Sequence, residues 1–165
     1  MQKKISKHTI SGLAQNIPGV LAQISDEFKK YKVNIKSISA GETEKPDVSR
    51  IVISVEGHDD EVQTIINDLK QFKAIIAIDD LANKNFIDRE LALIKIVVND
   101  ETTLKIMQIC EIFRANVVGM GRETITIELS GNEEKVNGLI KMLTPYGIRS
   151  MCRSGVIGLK RGDEI

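Results

Sequence analysis

The feature that most constrains this chain is a hydrophobic pattern that runs strand, helix, strand, strand, helix, strand, and then runs through the same order again. Ile5 to Ala14 alternates as a strand does and stops at the turn cluster Gln15-Asn16-Ile17-Pro18-Gly19. From Val20 the apolar positions are Val20, Leu21, Ile24 and Phe28, one helical face, and the pattern ends near Tyr31-Lys32. Val33 to Gly41 is again extended. A polar loop from Glu42 to Asp47 leads to Ile51, Ile53 and Val55 at period two, which predicts an antiparallel hairpin. Asp59 and Asp60 open a second helical stripe of Val62, Ile65, Ile66, Leu69 and Phe72, where acid favours a helix start. Ala74 to Leu81 closes the unit as its fourth strand.

The polar stretch Ala82 to Glu90 interrupts the pattern and reads as a linker. Leu91 to Val98 then forms a strong strand, Ile106, Ile109, Cys110 and Phe113 a helical stripe, and Asn116 to Met120 with Thr124 to Leu129 a second hairpin. Val136, Leu139, Ile140 and Leu143 make the last stripe, and Pro145-Tyr146-Gly147 turns into a final extended stretch, Ile148 to Leu159. The fold class is therefore α+β, two ferredoxin-like βαββαβ units in tandem, with residues 1–81 and 91–165 as domains and 82–90 between them. The repeat is one of pattern, not of residues.

Charge narrows the partners. The 165 residues carry 23 Lys and Arg against 23 Asp and Glu, so no net field steers the chain to nucleic acid or anionic lipid. With 4% aromatic residues and no Trp, the sheets have no base-stacking platform. No apolar run reaches the roughly 18 residues of a membrane span, and the chain starts without an apolar signal core, so a cytoplasmic protein is expected.

A catalytic or metal centre finds little material. His8 and His58 are far apart, without a ligand spacing, and read as solvated or capping residues. Cys110 lies on an apolar stripe and reads as a small buried hydrophobe, while Cys152 has no redox partner in a C-x-x-C arrangement. The glycines fit no phosphate loop, and the acidic pairs Asp59-Asp60, Asp79-Asp80 and Glu133-Glu134 fall at helix starts or a strand end. One place does invite a ligand, the turn Asn16-Ile17-Pro18-Gly19-Val20-Leu21. There the first N–H groups of a helix lack intrahelical partners, Pro18 presets helical φ, and Gly19 leaves its N–H uncovered, an arrangement suited to a carboxylate. Asn34 lies beside this turn if the first two strands flank each other's ends. The alternative is a plain helix cap at Asn16 and an edge polar residue at Asn34.

The segment Asn16 to Leu21 followed by Val33-Asn34-Ile35-Lys36-Ser37-Ile38 resembles the ligand turn of ACT domains. Thr43 to Arg50, Arg89 to Lys95, Ile112-Phe113-Arg114-Ala115 and Arg153 to Leu159 resemble the small regulatory subunit of acetolactate synthase, so the likeness spans nearly the whole chain. It implies an ACT domain in residues 1–81 and a chain with no catalytic activity alone. It also implies a large catalytic subunit as partner, which condenses two pyruvates, or pyruvate with 2-oxobutyrate, in branched-chain amino-acid synthesis. Thiamine diphosphate, magnesium and FAD are expected on that partner only. The small subunit raises its activity and confers feedback inhibition by valine.

The resemblance further implies a homodimer with ACT sheets side by side and valine between them. Asn16, Ile17, Pro18, Gly19, Val20 and Leu21 of one chain and Asn34 and Ile35 of the facing chain would bind it, Ile17 departing from the polar residue more common there. The charged loop from Glu42 to Arg50, with Glu44, Asp47 and Arg50, is the expected contact with the catalytic subunit. No metal site is expected, and the second unit, with acidic Asp100-Glu101 at the equivalent turn, is expected to hold no carboxylate pocket. The competing reading is a free-standing ACT-type sensor acting on another enzyme or on transcription.

Overall fold

The computed structural model describes residues 5–82 and 84–163. The outer limits of the expected domains and Asn83 of the expected linker lie outside them. In the first half, β1 (Ile5–Gln15) is followed by α1 (Val20–Lys30), β2 (Ile35–Glu42), β3 (Val48–His58), α2 (Asp59–Leu69) and β4 (Ile75–Asp80). The sheet is antiparallel in the order β2-β3-β1-β4. β1 and β3 are in register from Ile5 opposite His58 to Gln15 opposite Val48. Because side chains alternate across a strand, Ile10 and Ala14 of β1 and Ile51, Ile53 and Val55 of β3 share one face, and α1 and α2 cover it with Ile24, Phe28, Val62, Ile65, Ile66 and Leu69.

The second half repeats the order with β5 (Phe86–Val97), α3 (Thr103–Phe113), β6 (Asn116–Met120), β7 (Thr124–Gly131), α4 (Glu133–Leu143) and β8 (Ile148–Arg153). Its strand order β6-β7-β5-β8 is that of the first sheet. Ala92, Ile94 and Ile96 with Ile125, Ile127 and Leu129 meet Ile106, Cys110, Val136 and Leu139 in its core. Both units end their first helix in the same way. Lys32 (φ 57°) and Arg114 (φ 51°) take left-handed geometry, and the next residue donates five positions back, Val33 to the Phe28 carbonyl at 3.1 Å and Ala115 to that of Cys110 at 2.8 Å. The repeat thus extends to the helix stops, although the residues differ.

The chain divides into two compact units, one reaching Ile87 and taking in the described residues from Val156 onward, the other Asp88–Gly155. This differs from the sequence expectation at two places. β5 already begins at Phe86, inside the segment read as a linker. The last extended stretch is not one strand: it breaks at Ser154-Gly155, where Gly155 has φ 76° and Ser154 is fastened by its N–H to the Leu91 carbonyl at 2.9 Å. The residues beyond that break, including β9 (Ile157–Lys160), join the first unit. A Cβ on Gly158 would lie 3.3 Å from the Phe86 ring and 3.5 Å from Leu81, so glycine permits this close approach. Arg161 N–H donates to the Asn85 carbonyl at 2.9 Å.

Candidate functional site

The turn between β1 and α1 is held from both sides of the sheet. Gln15 N–H donates to the Ala74 carbonyl and Asn16 N–H to that of Asp47, each at 2.8 Å. The Asn16 amide donates to the Pro46 carbonyl at 2.9 Å and to Glu42 at 3.2 Å. Asn16 therefore ties down the 42–48 loop and does not cap the helix, which removes the simplest alternative for this residue. The N-cap is Gly19, left-handed at φ 90°, with no side-chain cap and no acid in the first turn of α1. Pro18 stands one position before that cap. The first helical hydrogen bond is that of Gln23 N–H to the Gly19 carbonyl, at 3.1 Å. The N–H groups of Gly19, Val20, Leu21 and Ala22 thus lack helical acceptors, and the helix dipole gives that end a partial positive charge.

These four residues line a cleft of about 450 Å³, within the range of small-ligand sites. Ile17, Pro18 and Leu21 give it exposed apolar walls, and Val20 and Ile51 form its buried floor. Ala40, Gly41 and Glu42 of β2 close the other side. The site therefore pairs hydrogen-bond donors for an anion with a carboxylate at Glu42 and an aliphatic surface between them, the shape of a small apolar α-amino acid. Sequence reasoning missed Ala22, the β2 end and Ser49 as lining residues. Their signal was register: Gln15 faces Val48, and Glu42 faces Ser49.

The same register separates Asn34 and Ile35 from this cleft within one chain. β2 runs parallel in space to β1, two strands away, so Glu42 ends near the turn while Ile35, opposite Val55, sits level with His8 at the far end. The condition under which Asn34 would flank the turn is not met inside a single chain. Glu44 and Asp47 are exposed on the 42–48 loop, but Arg50 lies within β3, half-buried, donating to Ser11 Oγ at 3.3 Å. The three do not form one surface cluster.

Elsewhere, His8 is 5% exposed and not solvated. It shares the helix-facing side of β1 with Ile10, its Nδ1 lies 2.6 Å from Asp80, and its Nε2 lies 3.3 Å from both Ser6 Oγ and Asp59. Cys110 is buried, and burial pushes its thiol pKa up. Among the described residues no group of three or more His, Cys, Asp and Glu is placed to hold a metal, and no helix is long and apolar enough to cross a membrane. The start of α3 is not bare: the Asn99 side chain accepts from Glu101 N–H at 3.1 Å and Thr102 N–H at 2.9 Å. A side-chain amide, not acidity, occupies those donors.

Comparison with known proteins bears on this geometry. Residues 10–77 match the family described as the AHAS small subunit-like ACT domain, and residues 89–162 match that described as the small subunit of acetolactate synthase. The chain is 39% identical over 157 residues to the acetolactate synthase small subunit of Mycolicibacterium smegmatis, covering 95% of this chain and 92% of that protein. The chain belongs to the acetolactate synthase small-subunit family. The small subunit of Bacillus subtilis is 38% identical over 96% of the chain and 92% of its own length. The crystal structure of the small subunit from Thermotoga maritima superposes with a TM-score of 0.84 at 32% identity, covering 97% of this chain and all of that one. The cleft thus belongs to the ACT domain of a small-subunit family member, and the tandem α+β architecture is that of a solved relative.

Proposed function

We propose that this chain is the regulatory subunit of acetolactate synthase, raising the activity of a thiamine-diphosphate-dependent large subunit and conferring feedback inhibition by valine bound at the ACT cleft. The observation that carries the ligand reading is the bare start of α1, whose N–H groups at Gly19 to Ala22 face an aliphatic cleft with Glu42 across it. Those donors suit the carboxylate of valine, Glu42 suits its ammonium, and Ile17 and Leu21 suit its side chain.

The ligand site is completed by a second copy paired through β2. This strand is a sheet edge, with unpaired backbone groups along one side. A two-fold axis through its middle, between Ile38 and Ser39, pairs the two β2 strands antiparallel and sets the partner's Ile35 opposite Glu42, with the partner's Asn34 beside it. Residues at opposite ends of β2 in one chain then meet at the cleft. A ligand touching both copies favours the arrangement that presents both sets of contacts, so its effect is a shift in population. The exposed loop bearing Glu44 and Asp47 is the proposed contact with the large subunit.

The test is copurification with the large subunit, then acetolactate formation as a function of valine, leucine and isoleucine. Valine should inhibit the pair most strongly, Asn34→Ala should weaken inhibition while activation is retained, and the chain alone should be inactive. A large subunit whose rate ignores this chain would overturn the reading and point to a free-standing sensor.

A further inference from the structure

Arg50 leaves a charge unaccounted for. It is half-buried, and among the described residues its one side-chain hydrogen bond runs to Ser11 and it forms no ion pair with a carboxylate. A guanidinium drawn partly out of water normally meets an acid, because lost hydration is otherwise uncompensated. Here it opens onto a second cleft of the first unit, about 680 Å³, which runs along the β1–β4 side of the sheet and is met by Lys70 from the end of α2. Ser11, Leu13, Ala77 and Asp79 floor that cleft from β1 and β4, and Leu159 and Lys160 of β9 border it. Register explains why it is separate from the turn cleft: Ser11 and Leu13 alternate with Ile10, Gly12 and Ala14, so they point to the opposite side of the sheet.

We propose that this cleft is a second ligand site, taking a small anion with an apolar portion, its phosphate or carboxylate group held by Arg50. Among the described residues Arg50 and Lys70 line it as cations, and its one carboxylate, Asp79, is already met by Lys84 and lies 3.8 Å from Lys160. The Ser11 hydroxyl, 8% exposed, accepts from Arg50 and so fixes the guanidinium while keeping its own proton to donate. The planar fork retains N–H groups for two-point recognition of a phosphate or carboxylate. Leu13 and Leu159 supply the apolar contact for the rest of the ligand. No part of this rests on valine or on the large subunit.

The experiment is titration of the full isotope-labelled chain with inorganic pyrophosphate in one arm and butyrate in the other, followed by amide shifts. Saturable shifts at Ser11, Leu13, Ala77 and Asp79, with those of Gly19 to Ala22 unmoved, are expected in at least one arm, and the responding arm identifies the anionic group. Arg50→Gln should weaken that binding roughly tenfold or more, and Lys70→Gln, at an exposed position, a fewfold with the fold intact. Shifts confined to Gly19 to Ala22, non-saturating shifts spread over the surface lysines, silence in both arms, or full binding by a folded Arg50→Gln chain would each overturn the proposal.

Discussion

Gly19 allows the backbone and the electrostatics of the ligand turn to be separated. Its φ of 90° lies where L-residues are disfavoured, and a Cβ built there meets nothing within 4 Å. Gly19→Ala therefore introduces no clash, only the left-handed cost of about 1–2 kcal/mol. For a unit of this size that corresponds to a fall of about 4–16 °C in the unfolding midpoint. Gly19→Asp bears less strain, because Asp tolerates this region better, and its carboxylate recovers about 0.3–1 kcal/mol at a helix start that has no acid of its own. In stability, Asp should be the milder change. In ligand binding the order reverses. A fixed carboxylate about 4 Å from the carboxylate of valine costs about 1 kcal/mol at the dielectric of water and about 4 at an effective value of 20, weakening affinity by roughly fivefold to a thousandfold. Ala keeps the N–H donors and should stay within about fivefold of the parent. Calorimetric unfolding of both variants with and without valine reads the two effects together, since a ligand that binds only the folded chain raises the midpoint. If Asp destabilises as much as Ala, the helix start is not short of an anion. If valine still protects the Asp variant as it protects the parent, the carboxylate site has been misplaced.

Three further outcomes concern groups away from the turn. Glu90 is 3% exposed and held by Arg153 at 2.8 and 2.6 Å, so Arg153→Met should cost about 3–5 kcal/mol by stranding a buried carboxylate, and adding Glu90→Gln should restore much of it, as read by urea unfolding. The Ser54 hydroxyl is 4% exposed and has no hydrogen-bond partner among the described residues, so Ser54→Ala should leave stability unchanged or raise it slightly, and a loss above about 1 kcal/mol would show that the hydroxyl is bonded in solution. At the ends of α1 and α2, Asp68 accepts from Tyr31 at 2.7 Å and Lys30 at 3.0 Å, which hold its pKa below the ordinary carboxylate value. A depressed folded-state pKa gives stability that is present above the unfolded value and lost as pH falls through the folded one. Tyr31→Phe should therefore reduce stability near neutrality and flatten its acid dependence below about pH 4, measured by denaturant unfolding across pH.

Legibility in the sequence divides along the range of the forces involved. Alternation and helical stripes are local, so the four strands and two helices of each βαββαβ unit were legible, and so was the uncovered N–H of Gly19 after Pro18. The strand order within each sheet follows from the repeated βαββαβ pattern. Register is not local: that Glu42 lies at the turn while Asn34 lies a full strand length away depends on how β2 pairs with β3. His8 misled for a related reason. An imidazole in an alternating strand reads as solvated until its face is known, and here that face also holds Asp80 and Asp59. The break at Gly155 was hidden because Ile148 to Leu159 has one uniform extended pattern, and only the tertiary fit of Gly158 against Phe86 and Leu81 separates its two ends.

The two units leave the start of their first helix in different states. Both begin their first helix after a central strand, both end it on a left-handed cation, and both leave four N–H groups at the start. In the second unit Asn99, three residues before Thr102, accepts from two of those donors, from Thr102 N–H at its side-chain oxygen (2.9 Å) and from Thr103 N–H at its main-chain carbonyl (3.0 Å). In the first unit the corresponding amide, Asn16, is turned away by Pro46 and Glu42, and a glycine fills the cap position. The difference lies in where one asparagine points. Because the 42–48 loop both holds Asn16 away and carries Glu44 and Asp47, a partner that moved this loop would alter the freedom of Asn16 to cap α1, and with it the number of donors left for a ligand. That gives the proposed coupling between subunit contact and ligand binding a physical route through a single side-chain amide.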